Sequence, residues 1–350
     1  LVNKIKNQNE ITSLDFSPAG DYMAYGTKNK EIFFYDFKEF KELNRYEAHF
    51  ADVNDLRFSN IYNKLFSAGD RSIKIWDFFG NQEEIFTGHH IYIWSISIDR
   101  NENYMVSGSF EDDVYLWYIP ELRLQNKLEI HDESVLAVAI NSSGTLIASG
   151  SLDRTIALWD ITGDSIFHRF SGHHGNIYDL QFTPDDRYLL SASNDKNCKL
   201  WDIENKKHVN TFVSHEKGVM NIDFNSDGKL FLSASVDKSV KLWETFNGNC
   251  IYTYKFHENI VNEVKFHPSD SLFVSASNDG MVTLWKIEPE IFVYYHFWEA
   301  YKNDLESNEI WGPKRENETR TEFKLREERI NSLKKRLINK YYEKYLQEKY

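Results

Sequence analysis

The sequence predicts an all-β fold built from seven copies of one unit, and the regular spacing of the copies is the main evidence. Each unit ends on an aromatic residue, and successive aromatics lie 41 or 42 residues apart. Within a unit, short stretches of alternating polarity are separated by turn residues, which is typical of β-strands. Four strands per unit, without a helix, indicate the blades of a seven-bladed β-propeller. The seven aromatic positions are Tyr35, Trp76, Trp117, Trp159, Trp201, Trp243 and Trp285.

Composition agrees with a large folded core and sets the expected cellular location. Hydrophobic residues make up 41% of the 350 residues, and there are two cysteines. So few cysteines argue against a disulfide framework and fit a reducing compartment. No run approaches the roughly 18–20 apolar residues of a membrane span, and no secretory signal pattern is seen. We therefore expect an intracellular protein of the cytoplasm or nucleus, without a membrane partner.

The negative charge is concentrated in the repeats. The whole chain carries a formal net charge of −13, of which residues 1–288 contribute −14 and residues 289–350 contribute +1. An acidic surface repels a phosphate backbone, so direct nucleic-acid binding by the propeller is disfavoured. The cations of the C-terminal tail leave RNA contact open there, through Lys334, Lys335, Arg336 and Lys340.

The repeats resemble the WD-repeat family over residues 1–287. The clearest copies read SGSLDRTIALWD (149–160), SASNDKNCKLWD (191–202), SASVDKSVKLWE (233–244) and SASNDGMVTLW (275–285). The resemblance implies a structural hydrogen-bond set in each blade, because a buried indole, imidazole and carboxylate must satisfy one another. Four units match in full: His131, Ser151, Asp153, Trp159; His173, Ser193, Asp195, Trp201; His215, Ser235, Asp237, Trp243; and His257, Ser277, Asp279, Trp285.

Three units depart from this set. In the third, Glu111 replaces the aspartate, and in the second, Ala68 stands where the hydroxyl is expected. The first keeps only Thr27, with Asn7 at the histidine position and Asn29 at the aspartate position. We therefore expect the first two blades to be the softer ones.

Ring closure is also predicted by the alignment of the units. Residues 1–6 align with the outermost strand of a blade, so the chain starts with the last strand of the seventh blade. Pairing of the two ends of the repeat region would leave no gap in the ring. The expected domains are the propeller (1–287), an aromatic-rich helix or connector (288–310) and an amphipathic helix (311–350).

The amphipathic helix carries a stripe formed by Ile330, Leu333, Leu337 and Tyr341. Apolar residues at spacings of three and four lie on one face of a helix, which needs a partner surface. That partner is the chain's own propeller, another subunit, or a second helix in a coiled coil, and the sequence leaves these alternatives open.

The recurring histidine, serine and aspartate residues could suggest a hydrolase triad. Several near-identical copies in one ring indicate architecture, since a catalytic triad is a single constellation. The doublets His89-His90 and His173-His174 lack the spacing of a helical zinc pair. We expect no enzyme activity, no metal and no cofactor.

The family resemblance implies a docking face at the narrow end of the ring, three and five places after each structural histidine and one place before each turn aspartate. We call this surface the Trp94 face, because Trp94 is the one propeller tryptophan outside the repeat position. Aromatic residues are frequent interface hot spots. The apolar residues expected there are Tyr92, Trp94, Phe110, Leu136, Leu152, Tyr178, Met220 and Val236.

These features predict a non-catalytic scaffold of a larger assembly, such as a ribosome-biogenesis, ciliary, centriolar or RNA-processing complex. It would bind proteins through the Trp94 face and the tail stripe. The alternatives are an RNA-associated subunit and a substrate adaptor for an enzyme such as a ubiquitin ligase. Adaptor relatives often carry arginine two residues after the Trp-Asp pair, and this chain has Phe79, Thr162, Glu204 and Phe246 there.

Overall fold

The structure is a computed structural model that describes residues 1–129, 131–161, 166–313, 315 and 318–349. The chain separates into two compact units, Leu1–Trp285 and Lys286–Tyr350. The first unit consists of strands and the second of helices.

Within the described residues, the first unit contains seven antiparallel four-stranded sheets, one per blade. Blade one is β2 (Ile11–Phe16), β3 (Tyr22–Thr27), β4 (Glu31–Asp36) and β5 (Lys41–Glu47); blade two is β6 (Asp55–Phe58), β7 (Leu65–Ala68), β8 (Ser72–Trp76) and β9 (Gln82–Thr87). Blade three is β10 (Ile93–Ile98), β11 (Tyr104–Ser109), β12 (Asp113–Tyr118) and β13 (Arg123–Glu129), with a short 3-10 helix at Ile119–Glu121. The seven-bladed fold predicted from the period is confirmed.

The remaining blades follow the same order. Blade four is β14 (Val135–Ile140), β15 (Leu146–Ser151), β16 (Ile156–Asp160) and β17 (Ile166–Phe170); blade five is β18 (Ile177–Phe182), β19 (Tyr188–Ser193), β20 (Asn197–Asp202) and β21 (Lys207–Val213). Blade six is β22 (Val219–Phe224), β23 (Leu230–Ser235), β24 (Ser239–Glu244) and β25 (Cys250–Lys255). Blade seven combines β26 (Val261–Phe266), β27 (Leu272–Ser277) and β28 (Met281–Lys286) with β1 (Asn3–Lys6).

Strand β1 is the outer strand of blade seven, as the alignment of the units predicts. It pairs antiparallel with β28, with Asn3 opposite Leu284 and Ile5 opposite Val282. The last blade is thereby assembled from both ends of the repeat region. An unpaired strand edge is a template for aggregation, so this pairing protects β28.

Buried apolar clusters join each blade to the next, because a single blade cannot bury its own apolar face. Between blades five and six, Leu200 and Val219 belong to one cluster with Phe231 and Trp243, and each is at most 1% exposed. The outer strands are different: β5 and β9 are mostly exposed. The core therefore lies between the blades and towards the channel.

Carboxylates in surface turns also link neighbouring blades. In three places an acidic residue with a positive φ accepts a hydrogen bond from a serine hydroxyl of the preceding blade. The pairs are Ser59–Glu102 (2.8 Å), Ser142–Asp186 (2.7 Å) and Ser226–Asp270 (2.5 Å). These turns hold blade two to three, four to five and six to seven.

The second unit is a pair of helices, α1 (Pro289–Glu306) and α2 (Arg320–Lys349). Pro289 stands in the first turn of α1, where its missing N–H is tolerated. Before α2, Thr319 Oγ1 accepts the N–H of Glu322 at 3.2 Å while the Glu322 carboxylate accepts the N–H of Thr319 at 2.8 Å. This reciprocal pair is a capping box and explains where the helix begins. Neither described helix is long and apolar enough to cross a membrane.

Candidate protein-binding face

The histidine, a serine and the tryptophan of blade five form one buried hydrogen-bond chain. His173 Nε2 lies 2.7 Å from Ser191 Oγ, and Trp201 Nε1 donates to the same oxygen at 2.9 Å. On the other side of the imidazole, Nδ1 lies 2.7 Å from the carboxylate of Asp195. Both nitrogen atoms of the His173 imidazole thus have a hydrogen-bond partner in the interior, as buried polar groups must.

The sequence prediction assigned the serine of this hydrogen-bonded set to Ser193, two residues after Ser191. Ser193 instead donates to the carbonyl of Gly175 at 3.1 Å and accepts the N–H of Asp195 at 3.1 Å. Residues two apart lie on the same side of a strand, so the pattern alone could not separate Ser191 from Ser193. The serines that bond to histidine are Ser149, Ser191, Ser233 and Ser275. The sequence prediction had assigned this role to Ser151, Ser193, Ser235 and Ser277, and that assignment is wrong.

The same correction restores the set in blade two. The prediction that Ala68 removes the hydroxyl is wrong, because Ser67 supplies it. His49 Nε2 lies 2.7 Å from Ser67 Oγ, and Trp76 Nε1 donates to that oxygen at 2.8 Å. Blade two therefore keeps the same histidine–serine–tryptophan connection as blade five.

Blades three and one use substitutes. In blade three, Glu111 takes the place of the aspartate and lies 2.9 Å from His89 Nδ1. In blade one, Asn7 Nδ2 donates to the hydroxyl of Tyr25 at 3.2 Å, and the Tyr25 ring is tilted against that of Tyr35 with centroids 5.7 Å apart. Burial raises the pKa of Tyr25, so its hydroxyl stays protonated. Tyr25 and Tyr35 thus stand where blade five has Ser191 and Trp201, and Asn7 stands at the histidine position.

These sets cannot act as hydrolase triads. Ser149, Ser191 and Ser233 are 0% exposed, so a substrate cannot reach their hydroxyls. Burial lowers the pKa of His173 and of His215, which keeps both imidazoles neutral. In the part of the chain that the structure describes, no group of three or more His, Cys, Asp or Glu side chains is arranged to hold a metal ion. The sets hold the blades together.

One mouth of the central channel gathers residues of the Trp94 face from several blades. A cavity of about 270 Å³ lies there. Trp94 of blade three, Tyr178 of blade five and Met220 of blade six line it together, with Thr12 of blade one and Asn262 of blade seven. Residues that are far apart in sequence therefore share one opening, as the family resemblance implies.

The most exposed aromatic side chains of this face belong to blade three. Tyr92 is 51% exposed and Phe110 is 41% exposed. Trp94 is half-buried and meets Phe110 edge-on, with ring centroids 5.4 Å apart. These three rings and Asp52 line a second cavity of about 240 Å³ beside the channel. The result is an aromatic groove between blades two and three.

Blades four to six contribute less exposed surface than the sequence prediction assumes. Leu136 is 3% exposed, because β14 is buried along its whole length, so Leu136 does not present a surface to a partner. Leu152, Tyr178, Met220 and Val236 are half-buried. The accessible apolar surface is therefore centred on blade three.

Two exposed residues beside this face were missed by sequence reasoning. Phe50 is 85% exposed and Ile91 is 43% exposed. They follow the structural histidines of blades two and three by one and two places. Blade four has Asp132 and Glu133 at these two places, and blade six has Glu216 and Lys217. Apolar residues at a position that is charged in sister units were the signal that could have identified them.

Charged residues line the channel beneath the face, and the sequence analysis did not single them out. Arg57 Nη1 lies 2.9 Å from Asp55 Oδ1 and 3.7 Å from Glu263 Oε1. Lys265 Nζ lies 3.5 Å from Asp223 Oδ1. Burial raises the pKa of Asp55, of Asp223 and of Glu263.

The channel carboxylates also join neighbouring blades through the backbone. Asp55 accepts the N–H of Ile96 in the next blade at 2.8 Å, and Glu263 accepts the N–H of Leu14 across the ring closure at 2.7 Å. The shared spacing, six places after each structural histidine position, is visible in the sequence. The spacing alone does not reveal these hydrogen bonds, because the carboxylate and its backbone partner belong to neighbouring blades that become adjacent only in the folded ring.

The predicted tail stripe lies inside the helical unit. Ile330, Leu333, Leu337 and Tyr341 are 7%, 4%, 8% and 5% exposed. The last three pack in one cluster with Val293, Tyr301 and Leu305 of α1. The partner helix is thus supplied by the same chain, an arrangement that the three alternatives from the sequence did not include. A partner protein would have to displace α1 to reach this stripe.

Part of the basic surface of α2 is engaged within the unit. Lys340 Nζ lies 2.6 Å from the Asp304 carboxylate, and Lys334 Nζ lies 5.2 Å from the centre of the Trp311 ring. Lys340 remains 60% exposed, so this pairing is a surface contact. These contacts reduce the positive charge that is available to bind the phosphate backbone of RNA.

Seven four-stranded blades with buried polar sets between their strands define the class of this protein as a β-propeller. The model of the "WD domain, G-beta repeat" family matches residues 1–36, 40–77, 80–118, 122–160, 164–202, 206–244 and 248–286. The chain belongs to this family, whose propellers bind other proteins.

Curated relatives match shorter stretches of the chain. It is 27% identical over 140 residues to cilia- and flagella-associated protein 52 of Macaca fascicularis, covering 39% of this chain and 24% of that protein. It is 31% identical over 114 residues to human DDB1- and CUL4-associated factor 10, covering 31% and 20%. It is 34% identical over 82 residues to the COMPASS component SWD1 of Saccharomyces cerevisiae, covering 22% and 19%. The matches thus span a quarter or less of each relative's length.

Proposed function

We propose that this protein is a non-catalytic scaffold subunit of a larger intracellular assembly, and that it binds a partner segment through the Trp94 face. The observation that carries the proposal is the aromatic groove formed by Tyr92, Trp94 and Phe110 beside the channel mouth. Exposed aromatic residues next to a half-buried tryptophan have the composition of an interaction hot spot. The similarity to a cilia- and flagella-associated protein and to a COMPASS component supports this role.

A paired purification tests the proposal. Tagged full-length protein and its Trp94→Ala and Tyr92→Ala variants are purified from their native cells, and co-purifying proteins are quantified by mass spectrometry. The matched control is Tyr252→Ala, because Tyr252 is 56% exposed on the outer strand of blade six and Tyr92 is 51% exposed. We expect a fixed set of subunits to fall at least tenfold with the two face variants and to remain with the control. Equal recovery from all four proteins contradicts the proposal.

A second candidate function is substrate delivery to a ubiquitin ligase, which the similarity to DDB1- and CUL4-associated factor 10 favours. Phe79 and Phe246 occupy positions where adaptors often carry arginine, and they are 81% and 49% exposed; Thr162 lies outside the described residues. Transient, substoichiometric partners together with ligase subunits would favour the adaptor. Stoichiometric recovery of one constant set of subunits favours the scaffold.

A further inference from the structure

Helix α2 carries a second stripe of residues, on a different side from the apolar stripe that packs against α1. Its members follow one another at spacings of four, three and four residues, so they lie along one line of the helix surface. With 3.6 residues per turn, the two stripes are centred roughly a third of a turn apart. All four members are exposed, and we call them the Arg329 stripe: Leu325, Arg329, Ser332 and Arg336.

The Arg329 stripe lines a groove of about 620 Å³ within the helical unit. Ile310 and Leu333 form the apolar part of this groove together with Leu325, and Glu328 is the one carboxylate in its lining. Among the described residues of α2, Leu325 is the one large apolar side chain that is exposed, at 53%. Arginine beside an exposed apolar side chain is typical of protein interfaces, where arginine is enriched and lysine is depleted.

A buried arginine of the same helix holds the groove in shape. Arg326 is 8% exposed, and its Nη1 donates to the carbonyls of Ile310 and Gly312, each at 3.0 Å. Its Nε donates to the Glu318 carboxylate at 2.7 Å. These hydrogen bonds fix the segment after α1 against α2, so Ile310 is in place before a partner binds. A preformed surface loses less conformational entropy on binding.

The two arginines of the groove have no carboxylate partner in the described part of the chain. The ion pairs that α2 forms there are Arg326 with Glu318 and Lys340 with Asp304. With two arginines and one glutamate in its lining, the groove has a formal charge of +1. An acidic partner complements this charge, and an arginine binds a carboxylate through two parallel N–H donors.

We infer that this groove binds an acidic amphipathic helix of a partner protein. Arg329 and Arg336 are seven residues apart, which is roughly 10.5 Å along the helix axis. A partner helix that lies alongside presents the same face every seven residues, so two carboxylates at that spacing reach both guanidinium groups. Its apolar side chains cover Leu325 and Ile310, as in helix-in-groove recognition. A phosphate backbone would engage the arginines but leave these apolar side chains exposed. The inference goes beyond the proposed function, which concerns the Trp94 face.

The test measures binding of a designed probe to the full chain by fluorescence anisotropy. The probe is a fluorescein-labelled helical peptide of roughly 18 residues, with leucines three and four residues apart and glutamates seven residues apart beside them. Two comparison peptides carry glutamine for glutamate or alanine for leucine, and a single-stranded RNA carries the same label. We expect saturable binding of the acidic peptide and at least tenfold weaker binding of the other three probes.

Two matched double variants locate the binding site. Arg329→Gln combined with Arg336→Gln should weaken binding of the acidic peptide at least tenfold. Lys324→Gln combined with Lys335→Gln removes the same charge from exposed positions on another side of α2 and should change the affinity less than twofold. Glutamine has a helix propensity close to that of arginine and lysine, and circular dichroism confirms that each variant is folded.

Three binding results overturn the inference: no saturable binding of the acidic peptide, equal losses in the two double variants, or RNA binding as tight as that of the peptide. A dimer of the full chain that light scattering detects and that dissociates in the arginine double variant also overturns it, because a second copy then occupies the groove. Partner recovery with Trp94→Ala and Tyr92→Ala is a separate measurement, so the proposed function stands or fails independently of this groove.

Discussion

A buried serine hydroxyl in most blades serves two neighbours at once. In blade five, Ser191 Oγ accepts the indole N–H of Trp201 and bonds to His173. Removal of the hydroxyl leaves two buried polar groups without a partner. In blade four the equivalent indole, Trp159 Nε1, is buried and has no hydrogen-bond partner among the described residues. The two blades therefore differ in what their serine contributes.

We predict that Ser191→Ala lowers the free energy of unfolding by about 1–3 kcal/mol, since it leaves an indole N–H and an imidazole nitrogen unsatisfied. Ser149→Ala in blade four is the matched control and should lower it by less, because only the bond to His131 is lost. Urea denaturation of both variants gives the two values. An equal or larger loss for Ser149→Ala contradicts the assignment of the serine as the shared acceptor.

The residue types of these sets could be predicted from the sequence, but the partners could not all be assigned. His173, Asp195 and Trp201 fall at the same aligned positions as their counterparts in the following units, so their positions were unambiguous. Two serines lie on the same side of β19, and only the coordinates show that Ser191 contacts the ring nitrogens. Sequence periodicity cannot distinguish two hydroxyls that lie on the same face of one strand.

Asp179 gives a pH dependence with a definite sign. Burial raises its pKa from 3.8 to about 6. A raised pKa in the folded state means that the stability associated with the bound proton is full below about pH 4 and is lost as the pH rises through about 6. The ionised carboxylate therefore destabilises the fold at neutral pH.

We predict that the difference in unfolding free energy between Asp179→Asn and the wild type shifts in favour of Asp179→Asn by on the order of 2 kcal/mol as the pH rises from 4 to 7.5. Unfolding free energies measured across this range check the change. Asp77→Asn is the control of opposite sign, because hydrogen bonds from Asn81 lower the pKa of Asp77 and its contribution is lost as the pH falls. A relative stability of Asp179→Asn that is flat or decreases with pH contradicts the burial of this carboxyl.

Among the structural elements, β1 completes blade seven, because it pairs with β28, the last strand of the repeat region. Ile5 packs against the cluster that contains Val274 and Val282 of blade seven together with Ile11 of blade one. The position of β1 was predictable, since residues 1–6 align with the outer strands of the other units.

We predict that Ile5→Asp lowers the free energy of unfolding by about 1–3 kcal/mol, because a charge enters an apolar cluster and β28 loses its cover. Leu43→Asp is the matched control, since Leu43 is 49% exposed in β5 and does not close the ring. It should change stability by less than about 0.5 kcal/mol. Thermal unfolding and light scattering measure both effects. Equal stability and equal aggregation of the two variants contradict the closure role of β1.

The helices show where sequence reasoning reached its limit. Their periodicity predicted α2 and its apolar stripe, but the surface that covers Leu337 could not be predicted from that stripe. The aromatic residues of α1 also have helical spacing, and the apolar faces of two helices that follow each other in the chain can cover one another. The partner of a helix face depends on packing geometry, which periodicity does not describe.

For the molecule as a whole, the structure divides the polar residues by role. The blade sets and the turn carboxylates connect strands and blades, and they are largely buried. The remaining surface features are an acidic propeller and the aromatic groove around Trp94. Sequence periodicity predicted the architecture, whereas the channel carboxylates emerged only from the closed ring, where residues 41–43 positions apart become neighbours.

We propose that the buried sets maintain the fold while the Trp94 face binds partners, and one comparison tests this division directly. Partner recovery and the free energy of unfolding are measured for the same two variants, Trp94→Ala and Ser191→Ala, at a temperature where both are folded. We predict that Trp94→Ala loses its partners with a stability change below about 1 kcal/mol, and that Ser191→Ala keeps them while losing more stability. The reverse pattern, with partners lost from folded Ser191→Ala and retained by Trp94→Ala, would contradict it.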